Sequence, residues 1–170
     1  MRIGVLTVSD TCAADPTADR SGPEVRRCVE ESDLKDASIS TGIVPDEITA
    51  IKEWISARLD ALDVILTTGG TGFAPRDVTP EATRQLIERP CPGIVVALLR
   101  AGLEKTPLAA LSRPEAGIAG RCLIVNLAGS PKAVRESMPV LLPLLPHAVA
   151  LLGDDRREVR AVHNEVAKEA

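Results

Sequence analysis

The chain has 170 residues, 45% hydrophobic and 26% charged, with a formal net charge of −4 at pH 7. That is one ordinary domain with enough apolar material for its own core, and too much for a disordered chain. An acidic chain with one Phe (Phe73), one Trp (Trp54) and no Tyr lacks the basic surface and stacking platforms of a nucleic-acid binder. A small anionic ligand held by a few local groups stays open.

Residues 2–8 are apolar and β-prone and predict a first buried strand, followed by a loop rich in Asp, Ala and Thr. Ser21 is placed to cap a helix running to about Glu31, with Val25, Cys28 and Val29 on one face. Residues 37–44 predict a second strand. Asp46 then opens a helix whose apolar positions, Ile48, Ile51, Trp54, Ile55 and Leu59, recur at helical spacing. Residues 62–68 predict a third strand that stops at Gly69-Gly70. Thr79-Pro80-Glu81 reads as a helix start, with Thr as cap, Pro at the first helical position and a carboxylate at the positive end of the dipole. Residues 93–103 predict another helix, 112–120 a loop with a short strand, and 121–127 a further buried strand. Helical segments follow to about Leu152. The stretch 153–170 is half charged, with Val159, Val162 and Val166 as a thin apolar stripe, and is expected to be a docking helix or the start of a linker. Near-continuously apolar strands alternating with helices imply one α/β domain over residues 1–152. Its mostly parallel sheet of about five strands would carry helices on both faces.

No targeting or membrane segment is expected. The N-terminal apolar run is too short for a signal peptide. The longest apolar stretch, Met138 to Leu152, is broken by Pro139, Pro143 and Pro146 and falls short of the roughly 20 residues that span a bilayer. Cys12, Cys28, Cys91 and Cys122 form no CxxC pair, and only His147 and His163 accompany them. That argues against a zinc site and for the reduced thiols of a cytoplasmic protein.

In open α/β sheets, ligands bind beyond the carboxyl ends of the strands. Four loops qualify: Ser9-Asp10 continued by Asp19-Arg20-Ser21-Gly22, Pro45-Asp46-Glu47, the run Thr67 to Asp77, and Asn126 to Pro131. The third holds Gly69, Gly70, Thr71 and Gly72, where small residues let backbone amides approach an anion closely. It is neither a P-loop, because no Gly-Lys-Ser/Thr follows, nor a GxGxxG fingerprint, because Pro75 stands where the last Gly belongs. Asp10, Asp46 and Asp77 all lie at strand ends. Each has a plain structural reading: Asp10 as a turn former, Asp46 as a helix cap, Asp77 as the ion-pair partner of Arg76. Together, beside Arg20, Arg76 and Arg113, they suit a Mg²⁺–polyphosphate site, with carboxylates on the metal and guanidiniums and amides on phosphate oxygens. Ser112, Asn126 and Ser130 add polar groups suited to fixing a ligand. Ser112 is a poor nucleophile candidate because none of these loops supplies a His as its base.

The run Thr67-Thr68-Gly69-Gly70-Thr71-Gly72-Phe73-Ala74-Pro75-Arg76-Asp77-Val78-Thr79-Pro80-Glu81 closely resembles the signature of the molybdopterin adenylyltransferases, the MogA-like proteins and the G domains of gephyrin and of the plant molybdenum cofactor protein. The resemblance extends to Leu6–Asp10, Asp19–Gly22, Ile43–Glu47, Leu111–Pro114 and Asn126–Pro131, and so covers residues 1 to about 152. It is strongest toward the gephyrin-type G domain, because Val162-His163-Asn164-Glu165 is similar to the start of that protein's linker.

The resemblance implies a three-layer sandwich whose mixed sheet has one antiparallel strand, a homotrimer, and Mg²⁺-dependent adenylylation of molybdopterin by ATP with release of pyrophosphate. A molybdate-inserting partner protein or fused domain would follow. It places the essential acids on Asp46 and Asp77, which would also hold Mg²⁺, with Asp10 beside them. Molybdopterin and nucleotide would meet Ser9, Arg20, Gly69, Gly70, Thr71, Gly72, Arg76, Ser112, Arg113, Asn126, Gly129 and Ser130. Two positions depart from the family pattern. Ala128 replaces a common Pro, which softens that loop, and Ala119 replaces a common Arg, which is expected to cost an anion contact. The alternative is a catalytically weak, trimeric molybdopterin-binding scaffold domain of a gephyrin-like protein. Nucleotide-pyrophosphate hydrolysis is a further rival, though related hydrolases carry paired aspartates where this chain has Arg76-Asp77.

Overall fold

The first strand, β1 (Arg2–Val8), is buried along almost its whole length and pairs in parallel on both sides, with β2 (Ser38–Val44) and with β3 (Val64–Thr68). The computed structural model describes residues 1–34 and 36–153; the charged stretch from 154, read above as a docking helix or linker, lies outside them. Beyond β3 the sheet continues in parallel to β6 (Cys122–Leu127), then turns antiparallel to β5 (Ala116–Ala119) and ends on β4 (Arg89–Pro90). The order is β2-β1-β3-β6-β5-β4.

The sheet has six strands where about five were expected. The additional one, β4, is two residues long and has no periodicity of its own. It exists because Arg89 and Pro90 pair with Ile118 and Gly117. Its brevity and its Pro also blunt the sheet edge.

Alternation along the strands sends Ile3, Val5, Val64, Leu66, Leu123 and Val125 to one face. There they meet Val25 and Val29 of α2 (Ser21–Glu30), Leu98 of α5 (Pro92–Leu103), Val134, Met138 and Leu141 of α6 (Pro131–Leu141), and Leu145 of α7 (Leu145–Gly153). Leu6, Val8, Ile65 and Ile124 face the other way, onto Ile51 and Ile55 of α3 (Ile48–Ser56) and Ala82 of α4 (Thr79–Arg84). Each fully buried Leu or Ile contributes about 1.5–3 kcal/mol, whereas an exposed ion pair contributes about 0–1 kcal/mol. The two apolar layers therefore hold the frame, and polar residues at its carboxyl edge are free for chemistry.

Several helix starts differ from the sequence reading. Asp46 does not cap α3; the capping position is Glu47, and Asp46 is turned elsewhere. Ser21 begins α2 rather than capping it, and the Asp19 carboxylate accepts the Gly22 N–H at 3.0 Å instead. Thr79 lies inside α4, with its hydroxyl donating to Gly69 O at 2.8 Å. Asp10 starts a short helix, α1 (Asp10–Ala14), capped by the Ser9 hydroxyl.

The helical run Pro131–Gly153, 23 residues with mean hydropathy 1.3, is long and apolar enough to cross a membrane by length and composition alone. The α-helix gives way near its prolines to a 3₁₀ turn at Leu142–Leu144, which holds Pro143, but the chain stays helical from α6 into α7. Its inward residues Val134, Met138, Leu141 and Leu145 belong to the core described above. All four cysteines are free, and burial pushes the Cys122 thiol up to about 12.

Candidate functional site

The carboxyl ends of β1, β3 and β6 converge on Gly69. Its φ of +103° lies in the left-handed region, and a Cβ there would sit 2.2 Å from Val8 O. A Cβ on Gly129, in the loop after β6, would in turn sit 3.0 Å from Gly69 Cα. Only unsubstituted backbone lets the three strand ends pack this closely. Thr68 Oγ1 donates to Ala128 O at 2.9 Å, and Thr79 N–H donates to Gly70 O at 3.0 Å. The glycine-rich loop is thereby tied to β6 on one side and to α4 on the other.

The acids flank this loop. A Cβ on Gly70 would meet Asp46 Oδ1 at 2.9 Å, and one on Gly72 would meet Asp77 Oδ2 at 2.8 Å. Asp77 Oδ2 accepts the Ala74 N–H at 2.8 Å, closing a tight turn within the loop. Asp10 and Asp46 bond to each other's backbone: Asp10 N–H donates to Asp46 Oδ2 at 2.8 Å and Asp46 N–H to Asp10 Oδ1 at 3.0 Å. Arg76 pairs with Asp10 through Nε and Nη2, at 2.9 and 2.7 Å, and not with Asp77.

These environments separate the two carboxyls. The Arg76 guanidinium holds Asp10 below the usual carboxylate range. Burial raises Asp46 above it, helped by the negative charges of Asp10 and Asp77 and opposed by the Asp10 N–H. Among the described residues no group of three or more His, Cys, Asp or Glu gathers as a metal site. A divalent ion that also binds phosphate oxygens needs only one or two carboxylates, and Asp46 and Asp77 are two carboxylates lining one cavity.

A polar cavity of ≈ 500 Å³ opens between these groups, lined among others by Ser9, Arg20, Asp46, Gly70, Asp77 and Ser130. Arg20 is exposed at its wall and forms no ion pair among the described residues. Ser130 caps α6 by accepting the Ala133 N–H at 3.1 Å, so the amino terminus of an 11-residue helix borders the same space. A second, mainly apolar cavity of ≈ 210 Å³ lies between α5 and α6, with Ser112 and Ala128 in its wall.

Three of the residues read as ligand-binding are engaged inside the fold. Arg113 is bonded to the glycine-rich loop and to Glu81. Asn126 is fully buried, its Nδ2 donating to Thr67 Oγ1 and Thr83 Oγ1 at 2.9 Å each and its Oδ1 accepting the Glu115 N–H at 3.1 Å. Thr71 is buried, with its hydroxyl 3.4 Å from that of Ser112. Ala119 pairs with Cys122 at the amino end of β6, the opposite end of that strand from the loop. The expected loss of an anion contact at that position therefore does not apply to this site.

Sequence reasoning named Asp19 only within a loop and Thr79 only as a helix cap; in the fold Asp19 accepts the Thr7 hydroxyl at 2.7 Å as well as the Gly22 N–H, and Thr79 fixes Gly69. An Asp three residues before a helical Gly was a usable signal for the first. Nothing local signalled the second.

Residues 4–147 match the family model described as "Probable molybdopterin binding domain". The chain is 36% identical over 154 residues to the molybdopterin adenylyltransferase of Helicobacter pylori strain J99, covering 89% of this chain and 88% of that protein. The chain belongs to the molybdopterin adenylyltransferase family. Within molybdenum cofactor biosynthesis it is also similar to larger proteins. It is 51% identical over 165 residues to the molybdenum cofactor synthesis protein cinnamon of Drosophila melanogaster, covering 96% of this chain and 27% of that one. To the gephyrin of Dictyostelium discoideum it is 44% identical over 159 residues, covering 88% and 22%. The chain thus spans about a quarter of the length of these two relatives. The crystal structure of the molybdopterin biosynthesis enzyme MoaB of Thermus thermophilus superposes with a TM-score of 0.81 at 46% identity, covering 89% of this chain and 95% of that one. The family's α/β sandwich, with one strand antiparallel to its neighbours, is the fold seen here.

Proposed function

We infer that this chain adenylylates molybdopterin with ATP. The observation that carries the reading is that Asp46 and Asp77, from two different loops, line one cavity beside the glycine-rich backbone. In the proposed step a terminal phosphate oxygen of molybdopterin attacks the α-phosphorus of ATP in line. The new P–O bond forms as the bond from the α-phosphorus to the bridging oxygen breaks, and pyrophosphate leaves with that oxygen. Such a transfer needs positioning and charge neutralisation more than covalent chemistry.

Each group of the cavity has a part. The Gly69–Gly72 backbone receives phosphate oxygens at close range because no side chain intervenes. Arg20 and the amino terminus of α6 supply positive potential at the cavity wall. Asp46 and Asp77 would hold Mg²⁺ together with the nucleotide, their oxygens being the hard donors this ion takes. When bound it offsets the negative charge of the phosphates.

Length and family point to assembly as well. Relatives several times longer than this chain support a molybdate-inserting domain or protein as its partner. The stripe Val96, Leu99 and Leu103 on α5 suits the packing of one copy on another, in line with the homotrimer the family resemblance implies. A cytoplasmic location is part of the same reading. The fused relatives also favour one second reading, a molybdopterin-binding scaffold domain without turnover.

Incubation of the protein with molybdopterin, ATP and Mg²⁺, with product read by mass spectrometry, separates the two. Adenylylated molybdopterin that depends on Mg²⁺ and is lost in Asp77→Asn establishes the transferase. Saturable molybdopterin binding without product establishes the scaffold.

A further inference from the structure

Beyond the ties of Thr68 and Thr79, Arg113 braces the later part of the glycine-rich loop. Arg113 N–H donates to Thr71 O at 2.8 Å, Nε to Gly72 O at 2.8 Å, and Nη2 to Asp77 O at 2.7 Å, while Nη1 pairs with the Glu81 carboxylate. All three guanidinium nitrogens are thus engaged within the fold, and the contacts run along the loop from Thr71 into the first turn of α4. The other Glu81 oxygen, Oε2, is buried without a hydrogen-bond partner among the described residues, and Arg113 is the side chain hydrogen-bonded to this carboxylate. A parallel pair, Arg84 with Glu115, ties α4 to the same segment from the opposite direction. A planar fork suits this set of acceptors, and a lysine ammonium, a single point charge, does not.

We propose that Arg113 is a positioning residue for the transfer. It fixes the shape of the Thr71–Asp77 loop, and with it the placement of the Asp77 carboxylate, without itself touching substrate. This rests on the adenylyl-transfer reading above.

The test compares the unaltered 170-residue chain with Arg113→Lys and Glu81→Gln, in steady-state adenylyl transfer and in hydrogen exchange by mass spectrometry. For Arg113→Lys, kcat falls by about 10–100-fold while KM for ATP stays within about threefold of wild type. Amides of residues 70–77 exchange faster, and those of β1, β3 and β6 do not change. Glu81→Gln, which keeps a hydrogen-bond acceptor, shows a smaller loss of the same kind. A wild-type kcat in Arg113→Lys overturns the proposal, and so does a loss carried by KM alone, which would make Arg113 a ligand contact. If the wild type forms no product, the adenylyl-transfer reading fails by itself and exchange decides the brace. Faster loop exchange over an unchanged sheet supports it, and unchanged loop exchange overturns it. Should Arg113→Lys lose protection across the whole sheet, Glu81→Gln decides on the same two readouts.

Discussion

Asp10 and Asp46, 36 positions apart, each accept the other's backbone N–H, at 3.0 and 2.8 Å. The exchange locks the carboxyl ends of β1 and β2 together and aims Asp46 at the glycine-rich loop. Asp46→Asn keeps an oxygen for the Asp10 N–H but removes the charge. Turnover is expected to fall about 10²–10³-fold, with a thermal melt close to wild type. A wild-type rate with unchanged Mg²⁺ dependence would exclude Asp46 from the chemistry.

Gly69→Ala tests the convergence of the strand ends. The new Cβ would meet Val8 O at 2.2 Å in a backbone conformation of φ +103°. A destabilisation of about 1–3 kcal/mol is expected from the strained backbone alone, read from urea unfolding. Gly93→Ala, where a Cβ meets nothing within 4 Å, is the control and should leave stability near wild type.

Asn126→Ala removes a buried amide that satisfies Thr67, Thr83 and the Glu115 N–H at once. Leaving such groups unpaired costs about 1–3 kcal/mol each at most sites. With three such groups left open, chemical denaturation should show a loss of at least about 3 kcal/mol. Adenylyl transfer should persist at temperatures where the variant is folded, because Asn126 is not among the residues lining the polar cavity.

Acid stability should depend in part on Asp63. Hydrogen bonds from the Arg2 guanidinium hold its carboxyl below the usual range, against the opposing effect of burial. A carboxylate with a lower pKa in the folded state stabilises the fold above its unfolded pKa of about 4, and this contribution fades as pH falls through the folded value. Wild type should therefore lose more stability than Asp63→Asn between about pH 6 and pH 3, by less than about 1 kcal/mol because the pair is partly solvated. Urea midpoints at the two pH values check it, and an equal loss in both proteins would remove Asp63 from the account.

Local patterns carried much of this protein into view from the chain alone. The near-continuous apolar runs of β1 and β6, the abrupt stop of β3 at two glycines and the Pro-led start of α4 are short-range facts of backbone sterics and burial. They placed the Ser9, Asp46, Gly69 and Ser130 loops at one edge of a parallel sheet. Which polar group meets which was decided only in three dimensions. Arg76 reaches Asp10 across 66 positions, Arg113 takes Gly72 and Asp77 across 41 and 36, and Asn126 takes Thr67 across 59. A side chain's nearest neighbours in sequence do not report such partners, because the strand order β2-β1-β3-β6 sets those distances. Arg113 and Asn126 thus read from sequence as groups suited to a ligand and Arg76 as a partner for phosphate or Asp77, whereas in the fold Arg76 bonds Asp10 and the other two bond the frame that shapes the site.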